Sequence, residues 1–195
     1  MNKFKIIAAG LALSLLSACG GAPAEAPPLA GAKMGGAFRL TNQDGKTVTD
    51  ADFAGKYRLV YFGYTFCPDV CPVDVQIMGQ GLSAFEKADP ARGAKVVPIF
   101  ITVDPARDTP AAIKQFVSNF HPRMVGLTGP VKDIDAVAQA YGVAFMRQPP
   151  NAQGAYLVDH ARMVVLYGPA GEPIAIMPQN AKPQQFADEL ARWVK

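Results

Sequence analysis

The chain is short of metal and disulfide chemistry. Its 195 residues hold three cysteines and two histidines. Beyond position 19 the only thiols are Cys67 and Cys71, so within the chain each can pair only with the other. Two thiols also fall short of a structural zinc site, which takes four ligands. Charge is sparse as well: 18% of residues are charged and the formal balance is +3. There is no basic run and no Arg/Lys cluster interleaved with aromatics, which excludes a nucleic-acid surface. The N-terminal apolar stretch, residues 6–16, is eleven residues long. A helical membrane span needs about 20. No internal repeat is present. What remains is a half-hydrophobic chain, long enough for one ordinary domain and a leader.

The first residues are that leader. Lys3 and Lys5 precede the apolar stretch, as in a secretory signal. Leu16-Ser17-Ala18-Cys19, followed by Gly20, resembles the bacterial lipobox. The resemblance implies cleavage before Cys19 and a diacylglyceryl group on its thiol. Residues 1–18 are then a signal peptide, residues 19–35 a Gly/Ala/Pro-rich flexible tether with lipidated Cys19, and residues 36–195 the folded domain. Loss of Lys3 and Lys5 lowers the formal charge from +3 to +1. An extended tether reaches on the order of 50 Å from the membrane. The domain is expected in the bacterial cell envelope, facing the periplasm, where disulfides are permitted. Gly20 stands where aspartate signals inner-membrane retention, which hints at the outer membrane. An oxidase partner argues for the inner one, so the choice stays open.

From residue 37 strand and helix signals alternate. Residues 38–40 and 47–49 read as a hairpin around an Asn42–Gly45 turn. Residues 58–63 and 95–103 are apolar runs suited to buried strands, although Pro98 is awkward inside one. Val75, Met78, Leu82 and Phe85 recur at helical spacing, with Gly79 and Gly81 weakening that helix. Asp108-Thr109-Pro110 opens a second helix with Ile113, Phe116, Val117 and Phe120 on one stripe. After a short strand at residues 124–127 comes a helix at residues 131–141. Strand-like runs follow at residues 142–146, 156–160, 163–167 and 173–177. Pro183 starts a last helix with Phe186, Leu190 and Trp193 or Val194 inside. The order predicts an α/β domain, a central mixed sheet with helices on both faces. A Cys pair where the first buried strand meets its helix points to a thioredoxin-like fold by analogy.

Cys67-Pro68-Asp69-Val70-Cys71-Pro72 carries the chemistry. Each proline steers the residue before it away from helical geometry. The helix is therefore expected from about Pro72, with both thiols near its N-terminus, where N–H groups favour thiolate. The pair is a disulfide, a redox couple or two soft-metal ligands. Cu(I) tolerates low coordination, so two thiolates and one imidazole would suffice. His121, in Phe120-His121-Pro122, reads as a structural helix-end residue. His160 ends a strand and is the candidate third ligand. Asp159 should face the other way. Asp69 and Asp74 flank the thiols, opposing thiolate formation while favouring a bound cation.

Residues 61–72, Tyr-Phe-Gly-Tyr-Thr-Phe-Cys-Pro-Asp-Val-Cys-Pro, resemble the signature of the Sco/SenC family of copper-handling proteins. Val103-Asp-Pro-Ala-Arg-Asp-Thr-Pro110 is similar to that family's second block, and Val158-Asp-His160 to its third; Tyr141-Gly142-Val143 also fits. The likeness runs over roughly residues 35–195. It implies a thioredoxin-like fold, a copper ion (Cu(I), with Cu(II) open) held by Cys67, Cys71 and His160, and service in assembling the CuA centre of cytochrome c oxidase. The implied partner is the CuA-bearing subunit or another periplasmic copper protein. Two departures stand out: Ala161 replaces the hydroxyl residue often found after the histidine, and residues 166–171 lack an acidic turn residue. Asp104 reads as a turn residue and Asp108 or Thr109 as a cap; the resemblance offers a partner-docking role for Asp104 and Asp108 instead.

Three functions compete. A copper metallochaperone, not an enzyme, needs both cysteines and His160. A thiol–disulfide oxidoreductase needs only the redox pair Cys67–Cys71, disulfide-bonded when oxidised. A peroxiredoxin-like peroxidase would leave His160 and the three-residue spacing unexplained.

Overall fold

The computed structural model describes residues 25–195. The leader, Cys19 and the first part of the tether lie outside the described residues. The chain runs β1 (Arg39–Asn42), β2 (Thr47–Thr49), a 3-10 turn at Asp50–Phe53, β3 (Tyr57–Gly63), α1 (Val70–Ala88), α2 (Pro90–Gly93), β4 (Val96–Thr102), α3 (Pro110–Val117), β5 (Val125–Thr128), α4 (Val131–Ala140), β6 (Phe145–Arg147), β7 (Val158–His160), β8 (Val164–Tyr167), β9 (Pro173–Ile176) and α5 (Pro183–Trp193). Seven strands form one mixed sheet in the order β2-β1-β5-β4-β3-β8-β9. Only the β3–β4 and β4–β5 pairs are parallel. These are the two βαβ units, with α1 and α3 as their crossovers.

The two faces follow from strand alternation. Tyr61, Phe100 and Gly126 face α1 and α3: Phe100 meets Phe116, and Ile113 lies over Gly126. Phe62 and Tyr167 face the other way, where Tyr141 covers both beside Phe38. Helices therefore lie on both faces, as expected. Leu59, Ile99, Ile101 and Leu127 are fully buried between them. Trp193, the last residue of α5, and Val194 just past it are both buried.

Gly79 and Gly81 each cost α1 about 1 kcal/mol of intrinsic helicity relative to Ala. They give close approach in return. A Cβ on Gly79 would lie 2.5 Å from the Phe120 carbonyl oxygen, and one on Gly81 2.5 Å from the Phe186 ring. Packing holds this helix, and glycine permits the packing. Pro98 does sit inside β4, opposite Leu59. Hydrogen bonds from Tyr57 N–H to the Lys95 carbonyl and from Val103 N–H to the Gly63 carbonyl set the alternation. Odd residues of β4 bond to β3, and even ones face β5. The β5 ladder begins only at Ile99, so the missing N–H of Pro98 falls just outside it.

Two expectations change here. Residues 27–35 lie along the body instead of hanging free. Leu29 N–H donates to the Ile174 carbonyl at 3.0 Å, Gly35 N–H donates to the Ala140 carbonyl at 2.9 Å, and Leu29 and Met34 pack against the core. Strands β6 and β7 do not join the central sheet. They pair with each other as a separate antiparallel ribbon, Phe145 opposite His160. Of their six residues only Val158 is buried, too little apolar surface for a place in the middle of a sheet.

Candidate metal centre

Parallel strands β3 and β4 end at the same edge, and the loops beyond them build the site. Tyr64 to Asp69 joins β3 to α1. Asp69 is the N-cap of α1, and Cys71 lies in its first turn. The helix thus starts two residues earlier than Pro72. Pro72 is tolerated there because first-turn N–H groups have no partner within the helix. The consequence is asymmetric. Cys67 is half-buried in the loop and Cys71 is fully buried on the helix. Both are free thiols. Cys71 N–H points at Cys67 Sγ, 3.4 Å away.

That asymmetry sets their acidity. Burial works to raise the Cys67 thiol, but N–H groups of Asp69, Cys71 and Val70 outweigh it and hold the thiol below its ordinary value. Burial drives the Cys71 thiol well above its ordinary value. Cys67 is the sulfur that ionises first.

His160 comes to the cysteines from β7. Its Nε2 lies 3.1 Å from Cys71 Sγ. Its Nδ1 lies 3.2 Å from the Ala161 carbonyl, which only accepts, so Nδ1 carries the proton and Nε2 keeps its lone pair toward the sulfur. The orienting group is backbone, so the departure at Ala161 leaves it intact. The Tyr61 and Tyr64 rings stand edge-on to the imidazole, at 5.9 and 6.0 Å. Burial lowers the His160 pKa against the pull of the Ala161 carbonyl, favouring neutral imidazole. One ligand atom from each of Cys67, Cys71 and His160 lies within 4.8 Å of the others. Two sulfurs and an imidazole nitrogen make a soft, three-donor set that fits Cu(I).

The other candidates separate cleanly. His121 is buried, 3.3 Å from Glu86 Oε2, and its Nδ1 accepts from Arg123 N–H; it is structural. Asp159 turns outward and bonds Gln148. Asp69 is exposed. Asp74 is buried and takes a two-pronged bond from Arg162, at 2.9 Å from Nε and 2.7 Å from Nη2, plus the Tyr61 hydroxyl at 3.0 Å. Its charge is matched by Arg162, so it bears on the thiols as half of an ion pair.

Asp104 and Asp108 are not a docking surface: both are fully buried. Thr109 alone caps α3, accepting from Ala112 N–H at 3.2 Å. The Asp108 carboxylate instead accepts from Thr65 N–H, the Thr65 hydroxyl and the Thr102 hydroxyl at 2.9, 2.6 and 2.6 Å, pinning the cysteine loop to the end of β4. Burial raises the Asp108 pKa against these bonds. Asp104 accepts from Arg107 Nε and from the Tyr156 hydroxyl, the latter at 2.8 Å. Tyr156 and Arg162 carried no signal in the sequence as site residues, because their partners lie tens of positions away. Arg107 stood in the second block beside Asp104, but only the fold shows that it also reaches Tyr156, 49 positions on.

A family model described as SCO1/SenC matches residues 26–195. The chain belongs to this family. It is 40% identical over 162 residues to the mitochondrial SCO1 homolog of Mus musculus, covering 83% of this chain and 56% of that protein. The chain spans about half the length of the first curated relatives it matches. The copper-bound structure of Bradyrhizobium japonicum ScoI has a TM-score of 0.75 at 39% identity, covering 82% of this chain and 99% of that one. BsSco, described as carrying a disulfide switch and as a member of the Sco family of cytochrome c oxidase assembly proteins, has a TM-score of 0.66 at 25% identity, covering 88% of this chain and 98% of that one. The thioredoxin-like expectation for this Sco domain therefore holds.

Proposed function

We propose that this Sco protein is a copper metallochaperone. It takes up a copper ion between Cys67, Cys71 and His160 and hands it to the CuA centre of cytochrome c oxidase. The convergence of those three donors within 4.8 Å carries the reading. Copper-bound ScoI and the assembly role given to BsSco's family support it. Binding as a dithiolate releases the thiol protons to solvent. Oxidation to a disulfide removes two electrons and two protons, and with them both sulfur ligands, so only the reduced pair holds metal.

An apolar rim supports a protein partner. Phe66 and Val73 flank the cysteines, Leu157 precedes β7, and Met146 lies on β6 opposite Asp159; all four are exposed large hydrophobics. A CuA-bearing domain with its own cysteine and histidine ligands would seat on this rim and exchange copper ligand by ligand. Lipidation of Cys19 would place the domain in the cell envelope facing the periplasm. Among the described residues no helix is long and apolar enough to cross a membrane. Mass spectrometry of the protein from membranes should find an acylated Cys19 as first residue; an intact leader refutes that part.

The test of metal binding is Cu(I) titration of the reduced protein against a chromophoric competitor, with and without His160→Ala. Loss of the imidazole should weaken binding by about tenfold or more, since even an outer partner of a metal ligand is worth that much. Equal affinity refutes the three-ligand site.

A second reading, thiol–disulfide exchange with partner cysteines, gains from the thiol asymmetry. Cys67 is accessible and acidified, and Cys71 waits behind it as the resolving thiol. A potential for the pair well above thioredoxin's roughly −270 mV would make it a poor reductant and remove this reading.

A further inference from the structure

His160 is not held by the central sheet. It ends a strand of a separate two-stranded ribbon, so the main ladder does not set its distance from Cys71. The fastening lies in side chains. Arg107, on the loop after β4, reaches both halves of the site. Its Nη1 donates to the Tyr156 carbonyl at 3.0 Å, four residues before His160, and its Nε bonds fully buried Asp104. Its guanidinium lies 3.7 Å from the Tyr156 ring centroid, 5.1 Å from that of Phe66 and 5.7 Å from that of Tyr64. Phe66 precedes Cys67, and Tyr64 opens the cysteine loop. The same cluster closes on itself. The Tyr156 hydroxyl donates to Asp104 at 2.8 Å, Val158 N–H donates to the Tyr64 hydroxyl at 3.3 Å, and Arg147 of β6 stands 3.8 Å from Asp104.

The flat cation of Arg107 touches both loops at once. Lysine cannot reproduce this, since it lacks both the fork and the stacking plane.

Resting on the copper reading above, we propose that Arg107 is a positioning residue for the metal centre. By pinning the His160 ribbon to the Cys67 loop it sets the imidazole in reach of a metal held by the two sulfurs. It touches no metal itself and acts through His160.

The experiment is a double-mutant cycle on the reduced full-length protein, with Cu(I) as the probe. The variants are Arg107→Met, Arg107→Lys, His160→Ala and Arg107→Met/His160→Ala. Cu(II) electron paramagnetic resonance serves as a second readout, and urea unfolding without metal is run alongside. Both Arg107 variants should bind Cu(I) about tenfold more weakly and lose nitrogen hyperfine structure from the imidazole. The double variant should bind no more weakly than His160→Ala alone, because coupled residues are not additive. If Arg107→Met does not fold, Arg107→Lys, which keeps the charge beside Asp104, decides the matter against His160→Ala. Wild-type affinity and hyperfine structure in the Arg107 variants overturn the proposal, as does an additive double variant. Equal binding by wild type and His160→Ala would instead remove the copper site on which the proposal rests.

Discussion

The Asp74–Arg162 pair predicts an asymmetry that a simple count of salt bridges would miss. Arg162→Met leaves a carboxylate 7% exposed, with only the Tyr61 hydroxyl for company. Asp74→Asn leaves a guanidinium that is already 34% exposed and can turn to water. Stranding a buried charge costs about 3–5 kcal/mol. The partial exposure of Arg162 argues for the low end, about 3 kcal/mol for Arg162→Met, since water already screens the pair. The conservative Asp74→Asn should cost about 1 kcal/mol, the value of an ordinary hydrogen bond. With a urea slope near 2 kcal/mol/M, the two midpoints should fall by about 1.5 M and 0.5 M. The double variant Asp74→Asn/Arg162→Met should recover part of the larger loss, because no unpaired charge remains. The assay is equilibrium urea unfolding of the reduced, metal-free protein, by fluorescence and circular dichroism together to check that one transition is seen. Equal losses for the two single variants, or a double variant no better than Arg162→Met, would refute the electrostatic account of this pair.

Three further outcomes are expected. Gly63→Ala puts a methyl 2.7 Å from the Tyr61 ring and 3.1 Å from Cys71 Sγ; overpacking should cost about 1–3 kcal/mol and weaken Cu(I) binding, and wild-type stability would show that the strand end yields freely. Iodoacetamide near neutral pH should modify Cys67 well before Cys71, since Cys67 is half-buried with a lowered pKa while Cys71 is buried with a raised one; peptide mapping that finds Cys71 labelled first contradicts the assignment. Burial holds both His121 and His160 below their ordinary pKa, so the unfolded chain takes up protons first. Their contribution is whole above the unfolded value of about 6.5 and is lost as pH falls from there toward the folded values. His121→Gln should therefore lose less stability between pH 7.5 and 5 than wild type, and an unchanged pH dependence would show that His121 is not the responsible group.

Much of the architecture was legible because local rules and burial agreed. The runs around Leu59 and Ile99 became the parallel centre, and Thr109-Pro110 opened α3. Legibility failed where the decisive contact was remote. Nothing near Pro98 shows that its missing donor falls beyond the β5 ladder. Nothing near Leu29 shows that Ile174 waits to accept its N–H. The helix start moved back to Val70 because a first-turn proline loses no bond, which outweighed the bias that prolines place on their preceding residues. The carboxylates show the same limit. The sequence places Asp74 beside the thiols and Asp104 at a turn, but that Asp74, Asp104 and Asp108 are buried, and that Arg162, Tyr156 and Thr65 reach them from far along the chain, comes only from the fold.

The sequence by itself determined the donors. Two thiols and one imidazole of the right softness are properties of residue type, and scarcity left no rivals beyond His121. The tertiary structure alone decided that they meet. Cys71 and His160 are 89 positions apart and close to 3.1 Å. They do so because the β3 and β4 loops share one sheet edge, and because Arg107 with Asp104 before His160, and Arg162 with Asp74 after it, fasten a ribbon that no ladder of the main sheet holds. Ligand identity is local chemistry, whereas ligand geometry is set by long-range packing and paired charge, which no short stretch of sequence contains.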